Sequence, residues 1–245
     1  MKKLRLNFYD VFFADAESKM ADLHIVHYQA DCFEDAAYLI ADISLSVRDE
    51  SVFNASDYEF LVKAAVSPAR REEWLWGRYV LKRLLQMKYE FDPASVHVGA
   101  VESRPRIVLP EGAEVKLSLA HKDRYVMAGV SSKSHIGVDI EIPETAPHAE
   151  RVLRRIASDE EIAAAASHAS LCERDYFLLL WCLKESCVKA GLVYSVFELK
   201  RHILKILDEE KNTDVILYRA ELKGFNIAYA RALLSRDFYA SVILS

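Results

Sequence analysis

Asp139 and Glu141 stand two residues apart in the segment "IGVDIEI", residues 136–142. In a β-strand, residues i and i+2 point to the same face of the sheet, so we expect both carboxylates to project together. Two neighbouring carboxylates repel each other, and each loses hydration when it is buried. The pair therefore indicates one of two arrangements. It lies on the exposed face of an edge strand, or a cation gathers the two acids.

A second group of chemically capable side chains lies in "LCERDYFLLLWCLKESCVKA", residues 171–190. The apolar run, followed by Gly191, predicts a long and largely buried helix. Trp181, Glu185 and Lys189 recur every four residues and so form one ridge of that helix. Glu185 and Lys189 are typical of a surface i,i+4 ion pair worth about 0.2–0.5 kcal/mol. Because the ridge continues a buried face, we favour a site over a surface pair.

Together, the strand and the helix offer three carboxylates: Asp139, Glu141 and Glu185. Three carboxylates are the ligand set of a hard cation such as Mg²⁺, which keeps water or phosphate oxygens in its remaining positions. The sequence thus predicts a Mg²⁺ site, provided that the helix packs against this strand.

Basic side chains accumulate upstream of these acids. They are Arg70, Arg71, Arg78 and Lys82 in a predicted helix, Arg104 and Arg106 at the turn "SRPR", and His121 with Lys122 in "LAHKD". Such side chains bind phosphate oxygens, and they equally serve as solvated surface charge. A further basic face, formed by Arg151, Arg154 and Arg155, would attract an acidic partner or merely add solubility.

Composition narrows the class of protein. The 245 residues are 52% hydrophobic and 28% charged, which is enough for a sizeable core. No apolar run approaches the roughly 20 residues of a membrane span, so we expect a soluble, cytoplasmic protein without membrane contact. The net charge of −5 argues against a nucleic-acid binder. We interpret Cys182 and Cys187 as small buried hydrophobic residues.

Seven glycines are present, and none forms a GxGxxG or GxxxxGK[ST] pattern. Any phosphate must therefore be held by side chains, scattered amides or a metal.

Hydrophobic periodicity outlines the elements that must position these residues. "LRLNFYDVFF" and "LHIVHY" predict strands, and residues 67–89 predict a helix with Ser67 as N-cap and Pro68 at its first position. The chain continues with a predicted hairpin in "SVHVGAVE" and "RIVL", and a three-strand meander of "VKLSLA", "RYVMAGVS" and "IGVDIEI". Ser158 and Glu161 form a capping-box pattern. Three more strands are predicted in "DVILYRAEL", "FNIAYARALL" and "FYASVILS".

One internal echo bears on domain organisation. "WLWGRYVLK", residues 74–82, and "WCLKESCVK", residues 181–189, share Trp at the first position and Lys at the ninth. Each is followed by strand-like sequence. We therefore predict an α+β fold of two similar halves related by a pseudo-twofold, each a small, mostly antiparallel sheet packed with a long helix. Residues 1–115 form the first half, which could also recruit the C-terminal strand. Residues 116–245 form the second, which carries the metal site.

The segment "GVDIE", Gly137 to Glu141, followed about forty residues later by "WCLKESCVKA", resembles the signature of the 4′-phosphopantetheinyl transferases of the larger, monomeric, Sfp-like type. Three upstream stretches agree with this family: "REEWLWGRYVLKRLL", "SRPRIVL" and "LSLAHKD". The ordered matches cover residues 67–191. The chain departs from the family pattern at Ala120, where many relatives have serine, and at Ser103, where the usual residue is glycine.

The resemblance implies an activity of the holo-[acyl-carrier-protein] synthase kind. Coenzyme A binds between the halves with Mg²⁺, or alternatively Mn²⁺, on its pyrophosphate. The phosphopantetheine arm moves to a serine of an apo acyl, peptidyl or aryl carrier protein, and 3′,5′-ADP is released. The protein would act as a monomer in fatty acid, polyketide or non-ribosomal peptide biosynthesis.

The resemblance also implies roles for single residues. Asp139, Glu141 and Glu185 match the metal ligands, Glu185 also matches the residue that activates the serine, and Lys189 matches a contact to the pyrophosphate. The implied contacts to the nucleotide end are Arg104 with Pro105, His121 with Lys122, Arg78, and either Arg70 or Arg71. Two other functions stay open: a non-catalytic coenzyme A sensor or scaffold, and an unrelated metal-dependent phosphohydrolase.

Overall fold

The structure is a computed structural model that describes residues 22–33, 35–63, 67–101, 104–108, 114–145, 151–153, 155–212 and 214–245. The strand predicted in "LRLNFYDVFF" lies outside the described residues. Among the described helices, none combines the length and the apolar composition that crossing a membrane requires.

The described residues include four α-helices whose bounds are complete, helical stretches at residues 151–153 and 155–156, and eleven strands. The helices are α1 (Ala55–Lys63), α2 (Pro68–Tyr89), α3 (Asp159–Ser167) and α4 (Glu173–Lys189). The strands that precede α3 are β1 (Ile25–Phe33), β2 (Ala36–Asp42), β3 (His97–Val101), β4 (Arg104–Val108), β5 (Lys116–Lys122), β6 (Tyr125–Ser131) and β7 (Ile136–Glu141). The strands after α4 are β8 (Leu204–Asn212), β9 (Val215–Leu222), β10 (Tyr229–Ser235) and β11 (Tyr239–Leu244).

Two antiparallel sheets form the centre of the molecule. The first has the strand order β1-β2-β6-β5, and the second has the order β7-β11-β10-β9-β8. The strands β3 and β4 pair as the predicted hairpin. This arrangement confirms the predicted α+β class.

The two sheets pack face to face, and each outer face is covered by one long helix. Tyr38 of β2, Met127 of β6, Val138 of β7 and Val242 of β11 belong to the apolar layer between the sheets. A second apolar cluster joins α2 to the other face of the first sheet, and a third joins α4 to the other face of the second sheet. The order of layers is therefore helix, sheet, sheet, helix. The predicted pseudo-twofold between the halves stays a prediction.

The helix ends follow the capping patterns that the sequence shows. Ser67 Oγ accepts a hydrogen bond from the backbone N–H of Arg70, with Pro68 at the first helical position. At the start of α3, Ser158 and Glu161 form both hydrogen bonds of a capping box. Gly191, directly after the Ala190 cap of α4, has a φ of 76°, which only glycine adopts without strain.

The predicted three-strand meander is wrong in its last member. β5 pairs with β6, but β7 pairs with β11 along its whole length, from Ile136 opposite Leu244 to Glu141 opposite Tyr239. The turn at residues 132–135 carries the chain from the first sheet to the second. There, backbone hydrogen bonds of 3.0 Å in both directions join His135 to Ser245. Neighbours in sequence pair often but not always, so local pattern could not decide this.

The strands of each sheet can be compared with the predicted division of the chain at residue 115. β5 and β6 lie beyond residue 115 in sequence, yet they pair with the first sheet through β2. β11, the C-terminal strand, lies in the second sheet. The division at residue 115 stays a prediction. Sequence patterns missed three elements: β2, β8 and α1.

Candidate active site

The strand β7 positions the two acids that the sequence singled out. Val138 and Ile140 are buried in the layer between the sheets, so Asp139 and Glu141 face the opposite way, towards α4. β7 is an edge strand of its sheet, as the simpler interpretation supposes. Asp139 is nevertheless only 7% exposed. The pair is thus not a solvated edge pair.

Gly137 lets α4 approach this strand closely. A Cβ atom at Gly137 would lie 1.9 Å from the Ser186 carbonyl oxygen and 2.6 Å from the Ala190 nitrogen. Ser186 Oγ also lies 2.7 Å from the hydroxyl oxygen of Ser241, the cross-strand partner of Asp139. These contacts place the C-terminal half of α4 directly over β7, so that helix side chains reach Asp139.

Asp139 is bound on one side only. Lys189 Nζ donates to Oδ1 at 2.7 Å, whereas Oδ2 is buried and accepts no hydrogen bond from the described residues. The Cys182 thiol donates to the Tyr239 carbonyl at 3.5 Å. Burial raises the pKa of Asp139, although the Lys189 charge opposes the rise and the nearby Cys182 thiol also lowers this pKa slightly. The surface-pair interpretation requires an ion pair between Lys189 and Glu185. In the structure, Lys189 instead forms its ion pair with Asp139 on β7.

Among the described contacts of Glu141 are two donors from different elements. Trp181 Nε1 donates to Oε1 at 3.3 Å, and Lys122 Nζ lies 2.8 Å from Oε2. Lys122 comes from β5, the edge strand of the first sheet. A second link joins these strands, since the Val138 N–H donates to Ser118 Oγ at 3.0 Å. The site therefore lies at the joint between the two sheets.

Glu185 completes the group of acids without a partner of its own. It is partly buried and forms no hydrogen bond or ion pair with any described residue. Burial raises the pKa of Glu185, the charges of Asp139 and Glu141 add to the rise, and Lys189 opposes it. The three predicted carboxylates thus lie close enough to act on one another electrostatically.

The three carboxylates match a hard cation such as Mg²⁺ in chemical type. Three carboxylates, one with an orphaned buried oxygen and one without a partner, are the ligand chemistry that Mg²⁺ takes. The part of the chain that the structure describes holds no ready-made cluster of three or more metal-binding side chains. In the structure, Lys122 and Lys189 engage two of the carboxylates. The residues fit the cation in kind, although the cage is not preformed.

The predicted phosphate-binding residues divide into two groups, of which the first lies near β5. His121 is partly buried, and burial lowers its pKa, so its imidazole is neutral at pH 7. The charges of Glu73 and Arg70, both near the N-terminal end of α2, also act on its pKa. Arg70 pairs with Glu73 at 2.6 Å, and Arg71 is exposed.

The second group lies inside the first half. Arg78 is 6% exposed and its Nε lies 3.6 Å from Asp57 Oδ1, and Lys82 is fully buried with its Nζ 2.6 Å from Asp57 Oδ2. Arg78 also lies over the Trp74 ring, 5.7 Å from its centroid, and its role as a phosphate contact stays a prediction. Arg104 and Pro105 lie on β4, but their side chains are outside the described part of the chain.

Sequence reasoning missed two contributions to the site. The indole of Trp181 binds Glu141, and Ser118 binds the backbone of β7. The spacing of Trp181 four residues before Glu185 was the available signal for the first. The second depends on which strands adjoin, which sequence did not show. A separate groove of about 520 Å³ lies on the second sheet between residues 203 and 231, away from these acids.

Part of this chain is similar in sequence to known proteins. Residues 135–230 match the family model of the 4′-phosphopantetheinyl transferase superfamily. A 4′-phosphopantetheinyl transferase of Bacillus subtilis is 28% identical over 51% of this chain and 60% of its own length. The 4′-phosphopantetheinyl transferase Sfp of Bacillus subtilis strain 168 is 26% identical over 51% of this chain and 59% of its own length. A relative from Synechocystis sp. is 26% identical over half of each chain.

The chain thus spans only about half to three fifths of the length of these relatives. The matched region of the family model contains β7 and α4, and with them Asp139, Glu141, Glu185 and Lys189. The resemblance predicted from "GVDIE" and "WCLKESCVKA" is confirmed: residues 135–230 of this chain match the 4′-phosphopantetheinyl transferase superfamily.

Proposed function

We propose that this protein transfers the 4′-phosphopantetheine arm of coenzyme A to a serine hydroxyl of an apo carrier protein and releases 3′,5′-ADP. The observation that supports this proposal most is the group of Asp139, Glu141 and Glu185 at the joint between the sheets, with Lys122 and Lys189 beside it. Phosphoryl-type transfer needs positive charge around the phosphate oxygens and a base near the attacking hydroxyl. The joint offers both.

Glu185 is the proposed base. It is partly buried, has no hydrogen-bond partner among the described residues, and has a raised pKa. A carboxylate with a raised pKa accepts a proton more readily than an ordinary surface carboxylate at neutral pH. Glu185 would take the proton of the serine hydroxyl while the serine oxygen forms its bond to the β-phosphorus and 3′,5′-ADP departs.

The cations around the joint are proposed to hold coenzyme A. Lys189 and Lys122 bind pyrophosphate oxygens, and neutral His121 donates a hydrogen bond to a phosphate at the nucleotide end. The 3′-phosphate contact comes from Arg70 or Arg71 in the first turn of α2, where both side chains are exposed. The buried pairing of Arg78 with Asp57 suits a structural role better than a contact to the ligand.

Mg²⁺ is the proposed metal, with Asp139, Glu141 and Glu185 as its protein ligands. When bound, it supplies positive charge that neutralises the pyrophosphate and the three acids. Mn²⁺ has the same preference for oxygen ligands and would substitute for it.

The proposed partner is an acidic carrier protein. Arg151 and Arg155 are exposed on the segment that precedes α3, and Arg154 lies outside the described residues. A basic surface steers an acidic partner and raises the rate of encounter. Reversing the charge at Arg151 and Arg155 should raise the apparent KM for the carrier and leave kcat unchanged. An unchanged KM would contradict this docking surface.

The decisive test is a panel of apo acyl, peptidyl and aryl carrier proteins incubated with coenzyme A and Mg²⁺, analysed by mass spectrometry. The proposal expects one carrier to gain the mass of one phosphopantetheine, and the gain to disappear with Glu185→Gln. Absence of transfer to every carrier would overturn the proposal. Tight binding of coenzyme A without transfer would then identify a sensor or scaffold instead.

A further inference from the structure

Two lysines occupy the positions where the acids of the site need positive charge. Lys189 Nζ lies 2.7 Å from Asp139 Oδ1, and Lys122 Nζ lies 2.8 Å from Glu141 Oε2. Both lysine side chains are about one third exposed, at 31% and 33%, while their carboxylates are 9% and 14% exposed. The ammonium groups therefore enter the acid cluster from the solvent side, and they can leave it without breaking the fold.

The acids, in contrast, are anchored from the protein side. Glu141 Oε1 accepts from the Trp181 indole, which is part of α4. The backbone of Asp139 is fixed by the pairing of β7 with β11 and by the contact of α4 with Gly137. The acids are therefore held by buried contacts, while the lysines remain about one third exposed to solvent.

The unsatisfied atoms show that the lysines do not complete the site. Asp139 Oδ2 is buried without a hydrogen bond from the described residues, and Glu185 has no partner among them. Among the described residues, Lys189 forms an ion pair with Asp139 and Lys122 forms one with Glu141, whereas Glu185 forms none. A buried oxygen without a partner costs about 1–3 kcal/mol, so a group that could bind it would be favoured.

We infer that Lys122 and Lys189 are resident counter-ions that hold the acid cluster together until a divalent cation displaces them, and that Trp181 keeps Glu141 in position throughout. This inference rests on the proposed function for its cation. It assigns Trp181 as a positioning residue and gives the two lysines a second task. Once displaced, their ammonium groups are free to bind the anionic co-substrate, so cation binding would precede tight binding of that co-substrate.

Lys122 competes with Mg²⁺ for Glu141, whereas Trp181 positions Glu141, so substitutions of the two residues should change the Kd for Mg²⁺ in opposite directions. Lys122→Met removes the competitor for Glu141, so the Kd for Mg²⁺ should fall about fivefold, the size of a partly exposed ion pair. Trp181→Phe removes the hydrogen bond that orients Glu141, so the Kd for Mg²⁺ should rise about threefold or more. Lys189→Met should act in the same direction as Lys122→Met.

The experiment is a calorimetric titration of the full chain with MgCl₂ alone, in the absence of coenzyme A and carrier. Lys205→Met, an exposed lysine on β8 away from the site, is the matched control and should leave the Kd unchanged. Far-UV circular dichroism checks that each variant is folded. An unchanged or higher Kd in both lysine variants would overturn the inference, as would an absence of Mg²⁺ binding to the unaltered chain.

A measurement on the unaltered chain keeps the inference testable if a variant does not fold. In ¹H–¹⁵N spectra of lysine ammonium groups, the signals of Lys122 and Lys189 should exchange faster with water when Mg²⁺ is added. Signals that keep their protection would contradict displacement. Because neither measurement contains carrier protein, a failed transfer reaction and a failed counter-ion exchange would be seen separately.

Discussion

The helix α4 contributes lysines to two lysine–carboxylate clusters, which differ in their exposure to solvent. On one side, Lys184 pairs with Glu161 of α3 at 3.0 Å, and both side chains are 0% exposed. On another side, one turn further along, Lys189 pairs with Asp139 at 2.7 Å and stays 31% exposed. The first cluster is closed to solvent, whereas the second is open.

The closed cluster leaves no polar atom unused. Glu161 Oε1 also accepts from the Leu204 N–H at 2.9 Å, and Oε2 accepts from the Ser158 N–H at 2.8 Å. A second closed pair is found under α2, where Asp57 Oδ2 accepts from Lys82 at 2.6 Å and from the Asn54 N–H at 3.0 Å. Asp57 Oδ1 is also buried and has no hydrogen bond from the described residues, but it lies 3.6 Å from Arg78 Nε. In both places the acid also caps the short helix that it comes from. These buried pairs join helices, and their role is structural.

The open cluster has three acids, two partly exposed lysines and a buried oxygen without a partner. Identical residue types therefore serve two purposes, and the solvent exposure of the lysine side chain distinguishes them. A closed pair is shut off from solvent, while an open one can be reached by a ligand. This difference can be tested by substitutions that affect stability in one cluster and activity in the other.

The largest expected effect is on activity in the open cluster. Glu185→Gln should lower kcat for carrier modification by about 10²–10⁴-fold, because a general base typically contributes that much. Its free energy of unfolding at pH 7 should be unchanged or higher, since burial already disfavours the Glu185 charge. Steady-state kinetics and urea denaturation of the same preparation measure the two quantities. A large loss of stability would place Glu185 in the structural class.

In the closed cluster, the corresponding substitution of the acid should affect stability. Glu161→Ala leaves Lys184 buried and unpaired, which should lower the free energy of unfolding by about 3–5 kcal/mol. The double variant Glu161→Leu with Lys184→Met removes both charges and should recover most of that loss. Urea denaturation of the single and double variants gives the comparison. Equal stability of both would show that the pair itself, not the orphaned charge, stabilises the fold.

Sequence reasoning could reach the open cluster but not its counter-ions. Asp139, Glu141 and Glu185 were found because strand and helix spacing fixes which side chains share a face. Lys122 was named for phosphate contact, but its ion pair with Glu141 depends on β5 adjoining β7. That contact joins two sheets, and no local pattern encodes it.

The same limit applies to the fold. The caps of α2 and α3 were predictable because capping involves residues three apart. β2 was missed because all seven residues of "AAYLIAD" are buried, so they do not alternate. β8 was missed because its second half, "DEEKN", is charged and gives no hydrophobic signal. Its strand pairing with β9 decides its structure.

The pH dependence of stability should show opposite contributions from buried His27 and from Glu185 of α4. Burial lowers the pKa of His27, on β1, from 6.5 to about 4. The unfolded chain therefore binds a proton that the folded chain refuses, and stability is lost as pH falls from 6.5 to about 4. The difference corresponds to about 3 kcal/mol. Glu185 acts in the opposite direction, because its raised pKa makes the folded chain hold its proton more tightly.

Urea denaturation at pH 7, 5.5 and 4.5 measures this dependence. His27→Gln, which keeps a polar group near the Tyr38 hydroxyl, should lose less stability than the unaltered chain on acidification. Glu185→Gln should lose its relative advantage as pH falls towards 4.5. Parallel pH profiles for His27→Gln and the unaltered chain would assign the acid sensitivity elsewhere.

The smallest expected effects concern how closely each long helix approaches its sheet. A Cβ at Gly137 would strike the backbone of α4 at 1.9 Å, and backbone cannot rotate away as a side chain can. Gly137→Ala should therefore push α4 off β7 and cost about 1–3 kcal/mol. It should also weaken Mg²⁺ binding, because Glu185 would move away from Asp139.

Gly77 in the middle of α2 is the matched position in the other half. A Cβ there would lie 3.7 Å from the Leu119 Cδ1 atom, an ordinary contact, so Gly77→Ala should raise stability by about 0.5–1 kcal/mol through helix propensity. Thermal denaturation of both variants, with and without Mg²⁺, tests the contrast. Opposite signs would show that close helix–strand contact is a property of the half with the open cluster. An equal thermal shift with Mg²⁺ in Gly137→Ala and in the unaltered chain would mean that the acids of that cluster do not depend on Gly137 for their proximity.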